Sequence, residues 1–214
     1  QAATKIAADK RVRAVIGHWS TPTIEAAAPV YAERGIPLIS PASLRPDLAK
    51  SSEWLFTGLF NDREQARFLA NYVRNVLGHK LVSMIVDKRA YGESMGASFA
   101  ETMLRFGTKT RYTWEFDSST NVVPQIQKII AELAEKKDAG VLFLAVGGLD
   151  GARIIKLMRD SSIRNPLVGT SGLGTHAFAD FVEKLPGKYN FAGKYSDGMM
   201  ITTPLLFDTA NETA

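Results

Sequence analysis

The stretch that most constrains this 214-residue chain runs from Val12 to Ser43. A largely apolar run, Val12–Ile16, ends in the polar turn Gly17-His18-Trp19-Ser20-Thr21. A helical pattern follows, closed by Gly35, and Ile36–Ser40 then reads as a second strand. Such a strand–helix–strand unit belongs in a parallel sheet with a right-handed crossover. Both strands end in hydroxyl-rich turns, His18–Thr21 and Ser40–Ser43. Ligands of open parallel sheets collect beyond the carboxyl ends of the strands. The two turns therefore make a binding edge before any chemistry is assumed.

The start of the helix sharpens that reading. Thr21 followed by Pro22 reads as an N-cap and a first helical position. A helix N-terminus offers free N–H groups and partial positive charge, which suit a carboxylate or phosphate. Pro22 removes one N–H and leaves Thr21, Thr23 and the neighbouring hydroxyls to meet the anion. The plain alternative is that Thr21 only caps its helix. Pro29, inside the same helical pattern, predicts a kink or a split.

Downstream, Trp54–Thr57 reads as an extended segment and Arg63–Val76 as a helix whose apolar residues keep helical spacing. Leu81–Val86 and Val141–Val146 are continuous apolar strands of the kind buried on both faces of a parallel sheet. The first leads into a polar turn, Asp87–Gly92, before a helix over Glu93–Phe106. Thr110–Phe116 alternates like a strand, and Val122–Lys137, Leu149–Ser161 and Thr175–Lys184 read as helices. Leu167–Thr170 and Met199–Thr203 complete the strands. This alternation predicts an α/β protein with doubly wound parallel sheets. From about residue 58 to residue 200 there are enough units for a complete lobe. Residues 1–57 hold two strands, too few for a sheet with both faces covered. The opening QAATKIAADK is a polar, Ala-rich helix rather than a signal peptide, and it reads as the middle of a protein.

Composition excludes several classes. Apolar residues make up 45% and charged residues 22%, as in ordinary globular domains. No apolar run approaches the ~20 residues that cross a membrane. The absence of cysteine excludes disulfides, thiol catalysis and cysteine metal sites, and says nothing about compartment. The formal charge is +4, with 26 basic residues dispersed among 22 acidic ones and no like-charge run longer than two. Nucleic-acid binding would want a stripe or cluster.

Motifs for catalysis do not assemble. Gly172-Leu173-Gly174-Thr175-His176-Ala177 has the G-x-G-x-x-A shape of a dinucleotide fingerprint. No acidic strand end follows at the required distance, so a strand-to-helix turn explains it better. His18, His79 and His176 are far apart, and Asp87, Glu93, Asp117 and Asp150 sit at different strand ends. Neither metal nor cofactor is expected, and the chain reads as a non-enzyme. What does recur is position. Thr21, Ser43, Tyr91, Gly147-Gly148 and Ser171 all fall just after the carboxyl ends of predicted parallel strands. Together they describe polar groups on two lobes pointing at one gap.

The string GHWSTPTIEAAAPVYAERGIPLISPAS resembles the corresponding region of the leucine/isoleucine/valine-binding proteins, type I periplasmic solute-binding proteins of ATP-driven importers. Asp87–Glu93, Ile126–Leu133 before Val141–Leu144, and Gly198–Thr203 carry the likeness through the whole chain. The resemblance implies two α/β lobes closing on a solute like a hinged clamp. On that pattern residues 1–57 are part of lobe one, 58–200 are lobe two, and 201–214 begin the return crossover. It also implies a periplasmic or extracellular location, a membrane permease as partner, and no insertion into the membrane itself.

Carried over by residue, Thr21 resembles the hydroxyl residue that takes the ligand carboxylate, with Ser20 in the same turn. Ala42 resembles a residue offering a backbone carbonyl to the ammonium, and Tyr91 the lobe-two tyrosine closing over the ligand. Leu44 falls where the branched-chain binders place a threonine, although Ser43 can supply a hydroxyl. Ser171 falls where they place an acid, and Gly147-Gly148 lacks the aromatic residue expected nearby. An ammonium buried without its carboxylate costs about 2–5 kcal/mol. These departures therefore turn the expectation toward small carboxylates in general, whether amino acids or aromatic acids, with Trp19 able to present a ring face. A signalling ectodomain, a repressor's effector domain and a nucleotide-dependent enzyme built on Gly172–Ala177 are the other readings.

Overall fold

A computed structural model describes residues 1–18, 21–41, 48, 50–58, 60–184 and 193–202. The chain divides into two compact units, Gln1–Gln65 and Ala66–Ala214. In the first, α1 (Ala2–Ala8), β1 (Val15–Ile16), α2 (Thr21–Ala32), β2 (Leu38–Ser40) and β3 (Leu55–Thr57) follow one another. The three strands form a parallel sheet in the order β1-β2-β3. The extended segment near Trp54 is thus a third strand, where the sequence pattern gave two. Three residues are too few for alternation to declare itself.

One face of this sheet is buried. Val15, Leu38 and Leu55 pack against Ile24, Ala27, Ala28 and Tyr31 of α2. On the other face Ile16, Ile39 and Phe56 stand in register across the three strands, exposed by 78%, 41% and 51%. Pro29 does not split α2, which runs unbroken to Ala32. The buried flank of the helix holds it across the missing N–H. Past the helix Gly35 takes φ +61°, and Ile36 N–H bonds back to Tyr31 C=O at 3.0 Å, a left-handed termination that glycine allows at no cost.

The second unit is built on five parallel strands. These are β4 (Val82–Asp87), β5 (Thr113–Phe116), β6 (Val141–Ala145), β7 (Leu167–Gly169) and β8 (Met200–Ile201). Their spatial order is β5-β4-β6-β7-β8, all parallel. Counted within the unit this is 2-1-3-4-5, the order of a doubly wound sheet. The α/β architecture with parallel sheets predicted from the sequence is what the chain adopts.

Helices α3 (Asp62–Asn71, continued by a π-helical turn, Tyr72–Val76) and α4 (Ala90–Arg105) cover one face. Helices α5 (Val122–Glu135), α6 (Gly148–Asp160) and α7 (His176–Lys184) cover the other. Val82, Met84 and Val86 point to the α3–α4 side, and Ile85 to the α5–α7 side. A continuous apolar strand is what such a two-sided burial demands. On the first face Phe99 stacks on Phe143, with ring centroids 4.1 Å apart.

The winding fixes where a site can form. The loop after β4 leads onto one face and the loop after β6 onto the other, so these neighbouring strands flank the switch point of the sheet. A crevice opens there beyond the carboxyl ends.

Candidate functional site

In the second unit the carboxyl edge is shaped by a close crossing. The sequence pattern placed Asp87–Gly92 in a turn; instead α4 begins at Ala90, with Arg89 as an extended N-cap (φ −75°, ψ 159°). Tyr91 therefore stands on the first helical turn. Gly92 was legible as a turn glycine, but its role is contact. A Cβ there would lie 2.2 Å from Asp87 C=O and 2.6 Å from Ala145 C=O. The start of α4 is pressed onto the ends of β4 and β6, and only glycine fits.

Gly147 is the N-cap of α6, just past β6. Ser171 opens a short 3-10 turn, Ser171–Leu173, just past β7. Tyr91, Gly147 and Ser171 thus follow three neighbouring strands at one sheet edge. A carbon built on Gly172 would lie 3.7 Å from Thr170 Oγ1, 3.7 Å from Val146 C=O and 3.8 Å from Tyr91 Oη. Three oxygens from three strand ends converge on one point. The same carbon-free space lets Gly148 approach Gly172 C=O at 3.1 Å from where a Cβ would sit. The 3-10 turn also separates β7 from α7, so the G-x-G-x-x-A string is not the single strand-to-helix turn that a pyrophosphate requires.

Besides the Val146 carbonyl, two side chains escaped the sequence reading. Thr170 is fully buried at the end of β7, and its hydroxyl has no hydrogen-bond partner among the described residues. Leu149, on the first turn of α6 directly behind Gly147-Gly148, is 59% exposed. An apolar residue opening a helix at a strand end was the signal available for it.

The carboxylates of this edge already have partners. Asp87 is 3% exposed and accepts from Arg89 Nε (3.1 Å), Arg89 N–H (3.2 Å), Ser118 Oγ (2.6 Å) and Ser118 N–H (3.3 Å). Asp150 accepts from Arg153 at 2.7 Å. The Ser119 hydroxyl, assisted by its backbone N–H, holds the Asp117 carboxyl below its usual value. Among the described residues no group of three or more His, Asp or Glu side chains is arranged to hold a metal ion.

In the first unit the three parallel strands also end at one edge. Thr21 follows β1 and is the first residue of α2, where the sequence suggested the cap before it. Buried Ser40 ends β2, in register with Thr57 at the end of β3. His18 Nε2 lies 3.3 Å from the Tyr31 hydroxyl, and burial pushes that phenol up. This strand-end histidine is therefore tied to packing. Trp19, Ser20, Ala42, Ser43 and Leu44 lie outside the described residues.

The periplasmic binding protein family pattern matches residues 1–208. The chain belongs to the periplasmic binding protein family. Within it, the chain is 24% identical over 202 residues to the Leu/Ile/Val/Thr-binding protein of Salmonella typhimurium, covering 92% of this chain and 50% of that protein. It is 29% identical over 181 residues to the Leu/Ile/Val-binding protein homolog 1 of Brucella suis, covering 83% and 47%. Among solved structures it superposes with a TM-score of 0.72 on the branched-chain amino acid transporter substrate binding protein LivJ of Streptococcus pneumoniae in complex with isoleucine. That match is 25% identical and covers 80% of this chain and 48% of LivJ. The chain spans about half the length of the curated relatives it matches. Among the described residues no helix is long and apolar enough to cross a membrane.

Proposed function

We propose that this chain is part of the extracytoplasmic solute-binding component of an ABC importer. Its solute is a small carboxylate with an apolar body, a branched-chain amino acid first and an aromatic acid next. The observation that carries the reading is the meeting of Tyr91 Oη, Val146 C=O and Thr170 Oγ1 at the switch point of the second unit. Few fold positions collect oxygens from three strand ends, and this is where doubly wound sheets take their ligands.

In this reading Thr21, with Ser20, meets the carboxylate at the N-terminus of α2, where free N–H groups favour an anion. Ala42 and Ser43 supply a carbonyl and a hydroxyl, and Trp19 an apolar face. Tyr91, Gly147 and Ser171 form the opposing lobe-two surface. Leu149 adds an apolar side chain there. Residues 1–57, 58–200 and 201–214 are then part of lobe one, lobe two and the return crossover. Closure follows from mass action, since a solute that contacts both lobes binds the closed form better and shifts the equilibrium toward it. The partners are the solute and a membrane permease, and the location is the periplasm or cell exterior. The names of the Salmonella and Brucella relatives and the isoleucine held by LivJ support the solute class.

The test is a thermal-shift panel on the full-length protein with leucine, isoleucine, valine, aromatic carboxylates and NAD. A true solute at about 100 times its Kd adds about 2.7 kcal/mol and raises the melting temperature by several degrees. A shift with NAD and none with any carboxylate would overturn the proposal in favour of a nucleotide-dependent enzyme.

A further inference from the structure

Asp87 is a carboxylate in an awkward place. It ends β4 at the carboxyl edge of the sheet and is almost wholly buried. A buried charge persists only when it is paired and hydrogen-bonded. Its four donors come from two separate loops: the backbone and guanidinium of Arg89 after β4, and the backbone and hydroxyl of Ser118 after β5. Lys88 N–H adds a bond to Phe116 C=O at 2.8 Å, so the two loops leave the sheet fastened together.

The consequence falls on the residues between two fixed points. Arg89, the N-cap of α4, is held from below by the Asp87 carboxylate. Gly92 is held by contact, since its α-carbon sits against the carbonyls of Asp87 and Ala145 with no room for a Cβ. Tyr91 lies between them. Its hydroxyl is thereby aimed at the point it shares with Val146 C=O and Thr170 Oγ1.

We infer that Asp87 is a positioning residue: through Arg89 and Ser118 it sets the start of α4 and with it the place of the Tyr91 hydroxyl. Asp87 itself touches no solute. The inference rests on the proposal that Tyr91 contacts the solute, and its test separates the two. A carboxylate serving stability alone would lower the melting temperature when neutralised and leave Tyr91 where it is.

The experiment is a double-mutant cycle on the full-length protein, with isoleucine as the titrated probe and calorimetry as the readout. Asp87→Asn and Ser118→Ala are each measured with Tyr91 intact and in a Tyr91→Ala background. Each should weaken isoleucine binding by about threefold to tenfold with Tyr91 present and by nothing further once Tyr91 is gone, as coupled neighbours do. Equal losses in both backgrounds would overturn the inference and leave the solute site standing. An affinity untouched by Tyr91→Ala would overturn the solute role of Tyr91 and this inference with it.

A second readout needs no solute. In protein labelled with 3-fluorotyrosine, the Tyr91 signal, identified by its loss in Tyr91→Phe, should move or broaden in Ser118→Ala while that of Tyr31 stays put. Ser118→Ala removes one 2.6 Å bond and leaves Asp87 its arginine, so folding is retained even where Asp87→Asn fails. A Tyr91 signal unchanged in Ser118→Ala would overturn the positioning role.

Discussion

Gly92→Ala is the most direct perturbation of the crossing that shapes the second unit. The added carbon would start 2.2 Å from one backbone oxygen and 2.6 Å from another. An ordinary carbon–oxygen contact is about 3.3 Å, so the start of α4 has to retreat by roughly 1 Å. Neither oxygen can rotate away, because both belong to ladder strands. Overpacking costs about 1–3 kcal/mol, and rigid backbone neighbours put this case at the upper end. Against it stands a gain of about 0.5–1 kcal/mol for replacing a helical glycine with alanine. The net loss is about 2 kcal/mol, or a fall of about 4–8 °C in melting temperature for a unit of this size.

Gly96→Ala is the matched control. There the new carbon meets only the Val86 methyls, at 3.1 and 3.3 Å, and a side chain can yield where a carbonyl cannot. Thermal unfolding would be followed by the fluorescence of buried Trp114 in a Trp19→Phe, Trp54→Phe background, which reports the second unit alone. Equal stability of Gly92→Ala and its parent, or an equal fall in Gly96→Ala, would refute the steric account.

Two further outcomes follow from the packing and the charges. Phe143→Ala removes a fully buried ring stacked on Phe99 and should cost about 3–5 kcal/mol, read by chemical denaturation; a loss under 1 kcal/mol would mean that the face collapses around the gap. Asp138 accepts from the Tyr112 hydroxyl at 2.9 Å and from Arg111, and these bonds hold its carboxyl below the usual value. A folded-state pKa below the unfolded one stabilises above the ordinary carboxylate value of about 3.9 and loses that contribution as pH falls further. Melting temperature against pH should therefore drop less steeply below about pH 4 in Asp138→Asn than in the parent; parallel curves would refute the pairing.

Much of the fold was legible because its strongest elements are locally consistent. Leu81–Val86 and Val141–Val146 read as strands buried on both faces, and the observed strands Val82–Asp87 and Val141–Ala145 do have both faces covered. The order 2-1-3-4-5 was not legible, since neighbour choice depends on crossovers of a dozen residues or more. The third strand, Leu55–Thr57, was hidden by its length, and by Phe56 lying exposed where a core residue would be expected. At the candidate site, side chains were easier to read than backbone. Tyr91, Gly147 and Ser171 could be picked out as strand-end residues. Val146 contributes only its carbonyl, and no residue type announces that. Thr170 was counted as the last residue of a strand, where its hydroxyl drew no notice.

Two hollows among the described residues of the second unit test whether strand ends are the right guide. The larger, about 440 Å³, lies at the amino edge of the sheet and is lined by His79, Lys80, Lys137 and Asn165. The smaller, about 250 Å³, lies beside Leu173, Thr175 and Ile201 toward the carboxyl edge. Size alone would favour the amino edge. Charge explains that edge without a ligand, however, because α3 with its π-helical turn, α4, α5 and α6 all end there. Helix C-termini carry partial negative charge and favour nearby cations. Lysines beside those ends answer the helices themselves. At the carboxyl edge the helices begin, and at Gly147-Gly148 the N-cap is a glycine that makes no side-chain cap bond to the first N–H groups of α6. An edge of helix N-termini, crossed by the hydroxyls of Tyr91 and Thr170, is the better place for a solute that carries a carboxylate and hydrogen-bonding groups.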